Sequence, residues 1–413
     1  MSPDGAASDH QAAEAAARRS YGKLVAFLAA RTRDVAGAED ALSDAFAAAL
    51  RDWPVRGTPD NPEAWLLTVA RRRMIDAARQ RRGGEGVAEH LRLLAELAEG
   101  DADAADVPDD RLGLMFACAH PAIDAGVRAP LMLQAILGFD AATIASAFLV
   151  APATMSQRLV RAKTKIRQAG VPFHVPARGD LRPRLEAVLE AIYAAYAEGW
   201  ADPAGTETRR RNLAEEAIWL GRLVASLLPE EPEALGLLSL MLHAQARRNA
   251  RRDAHGRYVP LAEQDPARWD AEVIAEAEAL LFRASTLGAV GRYQLEAAIQ
   301  SAHVVRRRSG RADWPAIERL YDALLATTAS PVVAINRAIA VAETQGPAQA
   351  LAVLDGLAED ARLAEYQPYW AARADLLERL GRIAPAAHAY ERAIGLETDA
   401  AVRDFLQRRR AAL

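Results

Sequence analysis

Met155, Leu159, Ala162 and Ile166 stand at i, i+4, i+7 and i+11. That spacing puts all four on one stripe of an α-helix and would scatter them over both faces of a strand. The same period recurs along the chain. Ala41, Leu42, Ala45, Phe46 and Leu50 read as the inward face of 37–54, and Trp65, Leu66, Val69, Ala70, Met74 and Ile75 as that of 63–82. No run of alternating β-branched residues competes with it. A chain of 413 residues with this pattern and only 6% aromatics reads as all-α, with two or three separately cored domains.

Charge is spread unevenly over these helices. The whole sequence has a net charge of −4. Residues 18–82 hold 13 basic side chains against 8 acidic ones (net +5), and residues 111–170 hold seven against two (net +5). Between them, residues 83–110 carry one Arg against nine acids (net −8), with Gly83, Gly84, Gly86, Gly100 and Pro108. The pattern fits two solvated bundles on a flexible link, or two cationic modules that grip one polyanion.

The second module is the more explicit. "ATMSQRLVRAKTKIR" (153–167) holds Arg158, Arg161, Lys163, Lys165 and Arg167 and no acid. Before it, Ile144, Ala145 and Phe148 make the apolar face of a short helix, a turn falls at 149–151, and Pro152 suits the first turn of the next helix. Thr154, Gln157, Arg158, Arg161 and Lys165 lie opposite the apolar stripe. This is a helix-turn-helix pattern, with hydrogen-bonding side chains near the second helix's start for base edges and cations further along for phosphates. In the first module, "GAEDALSDAFAAALRDWP" carries Glu39, Asp40 and Asp44 on its outer side. The loop "PVRGTPDNP" follows, then "EAWLLTVARRRMIDAARQRR" with Arg71, Arg72, Arg73, Arg79, Arg81 and Arg82.

The run "AEDALSDAF…NPEAWLLTVARRRMIDAARQRR" resembles region 2 of extracytoplasmic-function sigma factors of the sigma-70 family, and residues 109–173 resemble their region 4. "FACAHPA" and "AFLVAPATMSQRLVRAKTKIR" are similar to the group that bears a long tetratricopeptide-like C-terminal extension. The resemblance implies region 2 at 18–82, an acidic linker at 83–108, region 4 at 109–173 and the extension at 181–413. It implies that Glu39, Asp40 and Asp44 meet basic groups of core RNA polymerase, with Leu42 and Phe46 as apolar support. The loop would capture a base flipped from the promoter's −10 strand through Arg56, Gly57, Thr58 and Asn61. Arg71, Arg72, Arg73 and Arg79 would hold phosphates. Region 4 would set Thr154, Ser156, Gln157 and Arg158 into the major groove of the −35 element, with Arg161, Lys163 and Lys165 on the backbone. Arg72 stands where relatives commonly have Asn, Leu149 replaces the usual turn Gly, and Pro152 falls one position late. In the family the linker threads toward the RNA exit channel; a spacer extended by self-repulsion is the equally economical reading.

No catalytic set, metal site or cofactor is expected. Cys118 and His120 are too few for zinc, His243 and His255 lack spaced partners, and no Gly-rich phosphate loop with a following Lys occurs. A single cysteine excludes an internal disulfide and fits a reducing compartment. The N-terminal residues lack the apolar core of a signal peptide, and no stretch nears the ~20 apolar residues of a membrane span. The expected setting is the cytoplasm, without membrane contact.

Beyond 173, "HVPARGDLRP" reads as a linker with helices resuming at Leu185. Near the end two segments correspond: Ala338 with Ala374, Ala350 with Ala386, and Leu354 with Tyr390, each 36 residues apart. That resembles tetratricopeptide packing, whose period is about 34. Two further helix pairs precede them, separated by an irregular polar insertion at 247–269. The insertion, Tyr366, Tyr369 and Trp370 are candidates for contacts with a regulatory protein or with the chain's own DNA-binding surfaces. Two other readings stay open: a one-component helix-turn-helix regulator with a repeat sensor, which leaves the region 2 pattern unexplained, and a repeat scaffold that has lost DNA affinity.

Overall fold

The computed structural model of the chain describes residues 20–80, 109–147, 150–174, 176, 178–200 and 208–413. Among them the regular structure is helical, as the apolar period requires, apart from an isolated antiparallel bridge between Arg252 and Tyr258. Two compact units form, one with the described residues up to 220 and one from 221 to 413. No helix among the described residues is long and apolar enough to cross a membrane.

The first unit opens with α1 (20–32), α2 (Val35–Arg56) and α3 (Pro62–Gln80). Asp34 caps α2 by accepting the Gly37 N–H at 3.0 Å. The helix ends at Gly57, whose φ of +84° an L-residue adopts only under strain and whose N–H returns to the Trp53 carbonyl at 2.9 Å. Ala38, Leu42, Ala45, Ala49 and Trp53 face inward. Leu50 does not: it is 43% exposed. At 100° per residue it lies about 80° around the helix from Leu42, off the stripe that Ala49 and Trp53 complete.

There follow α4 (Arg111–Cys118), α5 (Ala125–Leu137), α6 (Ala141–Ala147), α7 (Pro152–Gln168) and α8 (Arg178–Trp200). Met155, Leu159, Ala162 and Ile166 are the buried residues of α7, as their spacing requires. Burying each of the larger three is worth about 1.5–3 kcal/mol. Helix α8 starts at Arg178, within the stretch expected to be a linker. Leu181, Leu185, Val188, Leu189 and Ile192 are all buried along it, and that stripe outweighs the single hydrogen bond Pro183 removes. Because α8 packs on α4 and α5, it stands in the first unit rather than with the extension expected from residue 181.

Helices α1 and α5 meet at backbone distance. A Cβ on Gly22 would lie 1.8 Å from the Ile136 carbonyl oxygen, so only glycine fits there. Beside it the Tyr21 ring lies close to Gly138, which ends α5 at φ +67°.

The second unit takes in the end of α9 (Thr208–Leu227), then α10 (Pro232–Ala246), α11 (Ala271–Ser285), α12 (Arg292–Val304), α13 (Arg306–Ser309), α14 (Trp314–Thr328) and α15 (Pro331–Thr344). It closes with α16 (Pro347–Asp355), α17 (Gln367–Arg379), α18 (Ile383–Leu396) and α19 (Ala400–Ala411). From α14 on, each helix packs on its neighbours in sequence, and α15 also touches α17, the pattern of stacked helix pairs. The corresponding residues Ala338 and Ala374, Ala350 and Ala386, Leu354 and Tyr390 are all buried.

The aromatic candidates and the insertion are tied in part into the packing of this unit. Tyr369 is buried, with its hydroxyl donating to the Leu354 carbonyl at 3.4 Å; Trp370 Nε1 donates to the Ala364 carbonyl at 3.0 Å, and Tyr366 packs on the same core. Tyr369 thus holds the helices together from within, while Tyr366 and Trp370 are half-buried. The insertion 247–269 is anchored on this unit by some of its residues, while 254–257 stay exposed. Trp269 is buried, Arg252 reaches Asp399 at 2.6 Å, and Tyr258 meets Phe405 edge-on at 5.6 Å. The insertion therefore straps α19, whose first turn Asp399 caps by accepting the Ala401 N–H at 2.8 Å. An open groove of about 1370 Å³ runs along this unit, with Tyr258, Arg306, Arg311, Trp314, Arg379 and Arg409 among its lining.

Candidate nucleic-acid interface

The loop between α2 and α3 encloses a cavity of about 350 Å³, lined by Asp52, Trp53, Arg56, Gly57, Thr58, Pro59, Asp60 and Trp65. That is the lower end of small-molecule pocket sizes, about 300–1,000 Å³. Trp53 and Trp65 form its aromatic floor, edge to face at 5.5 Å, and Trp53 Nε1 is buried without a hydrogen-bond partner. Arg56 and Gly57 are exposed at the rim, Thr58 half-exposed. Asn61, expected beside them, caps α3: its Oδ1 accepts the Ala64 N–H at 3.1 Å. The two tryptophans are what sequence reasoning missed. The apolar period marked Trp65 as core and did not take in Trp53, which is buried beneath the pocket with Trp65 half-buried beside it.

The arginines of α3 divide. Arg72 and Arg73 are exposed. Arg71 is half-buried and stacks, with Arg31, on the Phe27 ring at 5.7 and 3.5 Å. Burial, then the Arg31 charge, lowers its pKa from the usual guanidinium value. Arg71 is thus the least accessible of the three. The side chain of Arg79 lies outside the described residues, as do Arg81, Arg82, Phe148, Leu149 and the linker 83–108.

On the acidic face of α2, Asp40 and Asp44 are exposed, Asp44 within 3.9 Å of Arg73. Phe46 is half-buried, and Leu42 has no exposed surface, so it supports the helix from within. Glu39 is turned inward, bonded to Lys163 of α7, with both side chains nearly buried at 12% and 11% exposure. Burial drives the Glu39 carboxyl above the usual range despite that ammonium group.

Helix α7 presents Thr154, Ser156, Gln157, Arg158, Arg161 and Lys165 to solvent. Helix α6 packs against it, starting at Asp140, which accepts the Thr143 N–H at 2.8 Å. Lys163 is the exception among the expected phosphate contacts, since Glu39 holds it. Arg167, further along, lies 3.6 Å from Asp34.

Sequence comparison matches residues 17–83 to Sigma-70 region 2, the segment that carries the cavity, the acidic face and the arginine helix. That match supports a member of the sigma-70 family. That region implies interaction with core RNA polymerase and promoter DNA in transcription initiation, and the family is one of non-enzymatic transcription factors. Residues 184–285 match a family of unknown function, DUF6596. An uncharacterized protein of Rhizobium meliloti (strain 1021), R00370, is 39% identical over 376 residues, covering 90% of this chain and 88% of its own length. No solved structure matches the chain.

Proposed function

We propose that the chain is a sigma factor of the extracytoplasmic-function group, which seats on core RNA polymerase and reads a two-part promoter. The observation that carries this reading is the paired-tryptophan cavity inside the segment matched to Sigma-70 region 2. A base drawn from the −10 strand stacks against Trp65, while Arg56 and Thr58 contact its polar edge. Base–aromatic stacking of this kind contributes about 1–3 kcal/mol per base. Asp40, Asp44 and Phe46 meet the polymerase, with Glu39 joining them once released from Lys163. Arg72 and Arg73 hold phosphates of the melted strand.

Helix α7 acts as the recognition helix of region 4. Thr154, Gln157 and Arg158 sit on one exposed face near its start, with Ser156 exposed on the other flank of the buried stripe, in reach of −35 base edges, and Arg161 and Lys165 extend along the backbone. The helix pairs from α14 onward form a tetratricopeptide-like extension whose groove receives the regulatory input. Promoter selection from a random duplex library with polymerase reconstituted on the full chain tests the reading. The expected result is two enriched blocks separated by a fixed spacer. Enrichment of a single operator-like block, without polymerase dependence, would favour a one-component regulator.

A further inference from the structure

The insertion in the second unit carries charge that the proposed function leaves unused. Residues 247–270 hold six arginines against Asp253, Glu263, Asp265 and Asp270, and residues 306–311 hold four arginines and no acid. The fold brings these two stretches together, because the turn at 266–268 packs on 248–250 and also on α13. We propose that this arginine face is a further nucleic-acid surface, which holds phosphates of the promoter duplex outside the −10 and −35 elements and reads no bases. The inference rests on the proposed sigma-factor function only in its choice of duplex DNA as the polyanion.

What separates this face from an ordinary solvated one is how its guanidinium groups are held. Arg268 donates through Nη1 to the Arg252 carbonyl at 3.0 Å and through Nη2 to the Asn249 carbonyl. Arg306 donates to the carbonyls of Leu261 and Gln264, both at 2.9 Å. Neutral acceptors thus fix both side chains without a carboxylate to offset their charge. Elsewhere in the unit the pattern is different: Arg337, Arg373, Arg379 and Arg410 end on Asp322, Asp355, Glu343 and Glu391. Of the acids at the face, Asp253 is engaged by Arg257 at 2.7 Å and Asp399 by Arg252 at 2.6 Å. Asp265 and Asp270 accept backbone N–H groups of the turns they cap, and Glu263 stands exposed. Arg268, Arg307 and Arg311 remain exposed. A guanidinium already held in place loses little further freedom on meeting a phosphate, whose oxygens match its fork of N–H groups. Among the described residues of these two stretches no large apolar side chain is exposed, so the anchors of a protein interface are missing. Trp269 is buried and Tyr258 half-buried, which leaves no open platform for stacking single-stranded bases. A polar, cationic face of this kind suits duplex phosphates, which a chain seated on a promoter meets at high effective concentration.

Duplex binding by the full chain tests this. Arg307→Gln with Arg311→Gln should weaken binding to two duplexes of unrelated sequence by the same factor. The log–log salt slope should become shallower by about two, and by about three when Arg268→Gln is added, since each phosphate contact contributes about 0.9. Arg337→Gln, Arg373→Gln and Arg410→Gln together remove the same charge from the same unit outside the face and should leave the slope unchanged. In polymerase reconstituted on the full chain, a photo-crosslinker on a cysteine at the exposed Asn249 should label promoter DNA. The native Cys118 is fully buried and takes no label. Labelling of polymerase or transcript alone overturns the proposal. So does a slope that the face variants leave unchanged while promoter transcription persists, and the functional reading then stands without it. An equal loss of slope in the control variant overturns it as well, because overall charge rather than this face would then govern binding. A chain that never binds polymerase, yet gives the expected slopes, overturns the sigma-factor reading and leaves the face as a duplex-binding surface.

Discussion

His243 makes the second unit's stability depend on pH in a window where few other groups titrate. Its ring is 1% exposed on α10, both nitrogens lack hydrogen-bond partners, and burial, then the Arg247 charge, pulls its pKa down to about 4. Glu278 lies 3.5 Å away, yet desolvation and Arg247 prevail, so the contact is not an ion pair at neutral pH. The folded state therefore holds His243 neutral, whereas the unfolded chain protonates it near 6.5. Stability is full above about pH 7.5 and falls as pH drops below 6.5, the loss levelling off near pH 4. At pH 5 the linkage amounts to about 2 kcal/mol, a roughly 30-fold rise in the open population. His303, edge-on to Trp314 at 5.4 Å and also drawn to about 4, is partly exposed and adds less. Hydrogen exchange of α10–α12 peptides in the full chain at pH 7.5 and 5, corrected for intrinsic rates, should show that loss of protection. A His243→Gln variant should lose most of it. Equal protection at both pH values would refute the argument, as would a loss of the same size in the variant.

Three further outcomes follow from other contacts. Gly22→Val should destabilise the first unit by more than about 2 kcal/mol in denaturant titrations, since backbone rather than a flexible side chain stands in the way. Trp65→Ala should lower open-complex formation on a matched promoter by about 1–3 kcal/mol while duplex −35 binding stays unchanged, read by permanganate footprinting. Arg409→Ala breaks bonds to Asp375 at 2.9 Å and Glu378 at 2.7 Å, and should cost the second unit about 1–3 kcal/mol, with α19 exchanging first.

What the sequence disclosed depended on how local the controlling physics was. The α7 stripe and the 36-residue correspondence are properties of one helix or of neighbouring helices, and each is kept in the structure. Leu50 and the start of α8 were misread where a stripe had to be extrapolated by a single turn. The pairing of Lys163 with Glu39 joins residues 124 apart in sequence. Arg252 with Asp399 spans 147, and no periodicity encodes either. Tyr369 looked like an interface anchor because aromatic content alone does not say which side of a helix faces the core. The cavity was half legible. Its polar loop was evident, and its tryptophan floor was not.

The central claim is that region 2 seats this chain on core RNA polymerase. Co-elution of the full chain with purified core polymerase, followed by competition with the housekeeping sigma factor, tests it most directly. The account predicts a one-to-one complex from which the competitor displaces the chain. Absence of a complex, or a complex that holds both proteins at once, would contradict it.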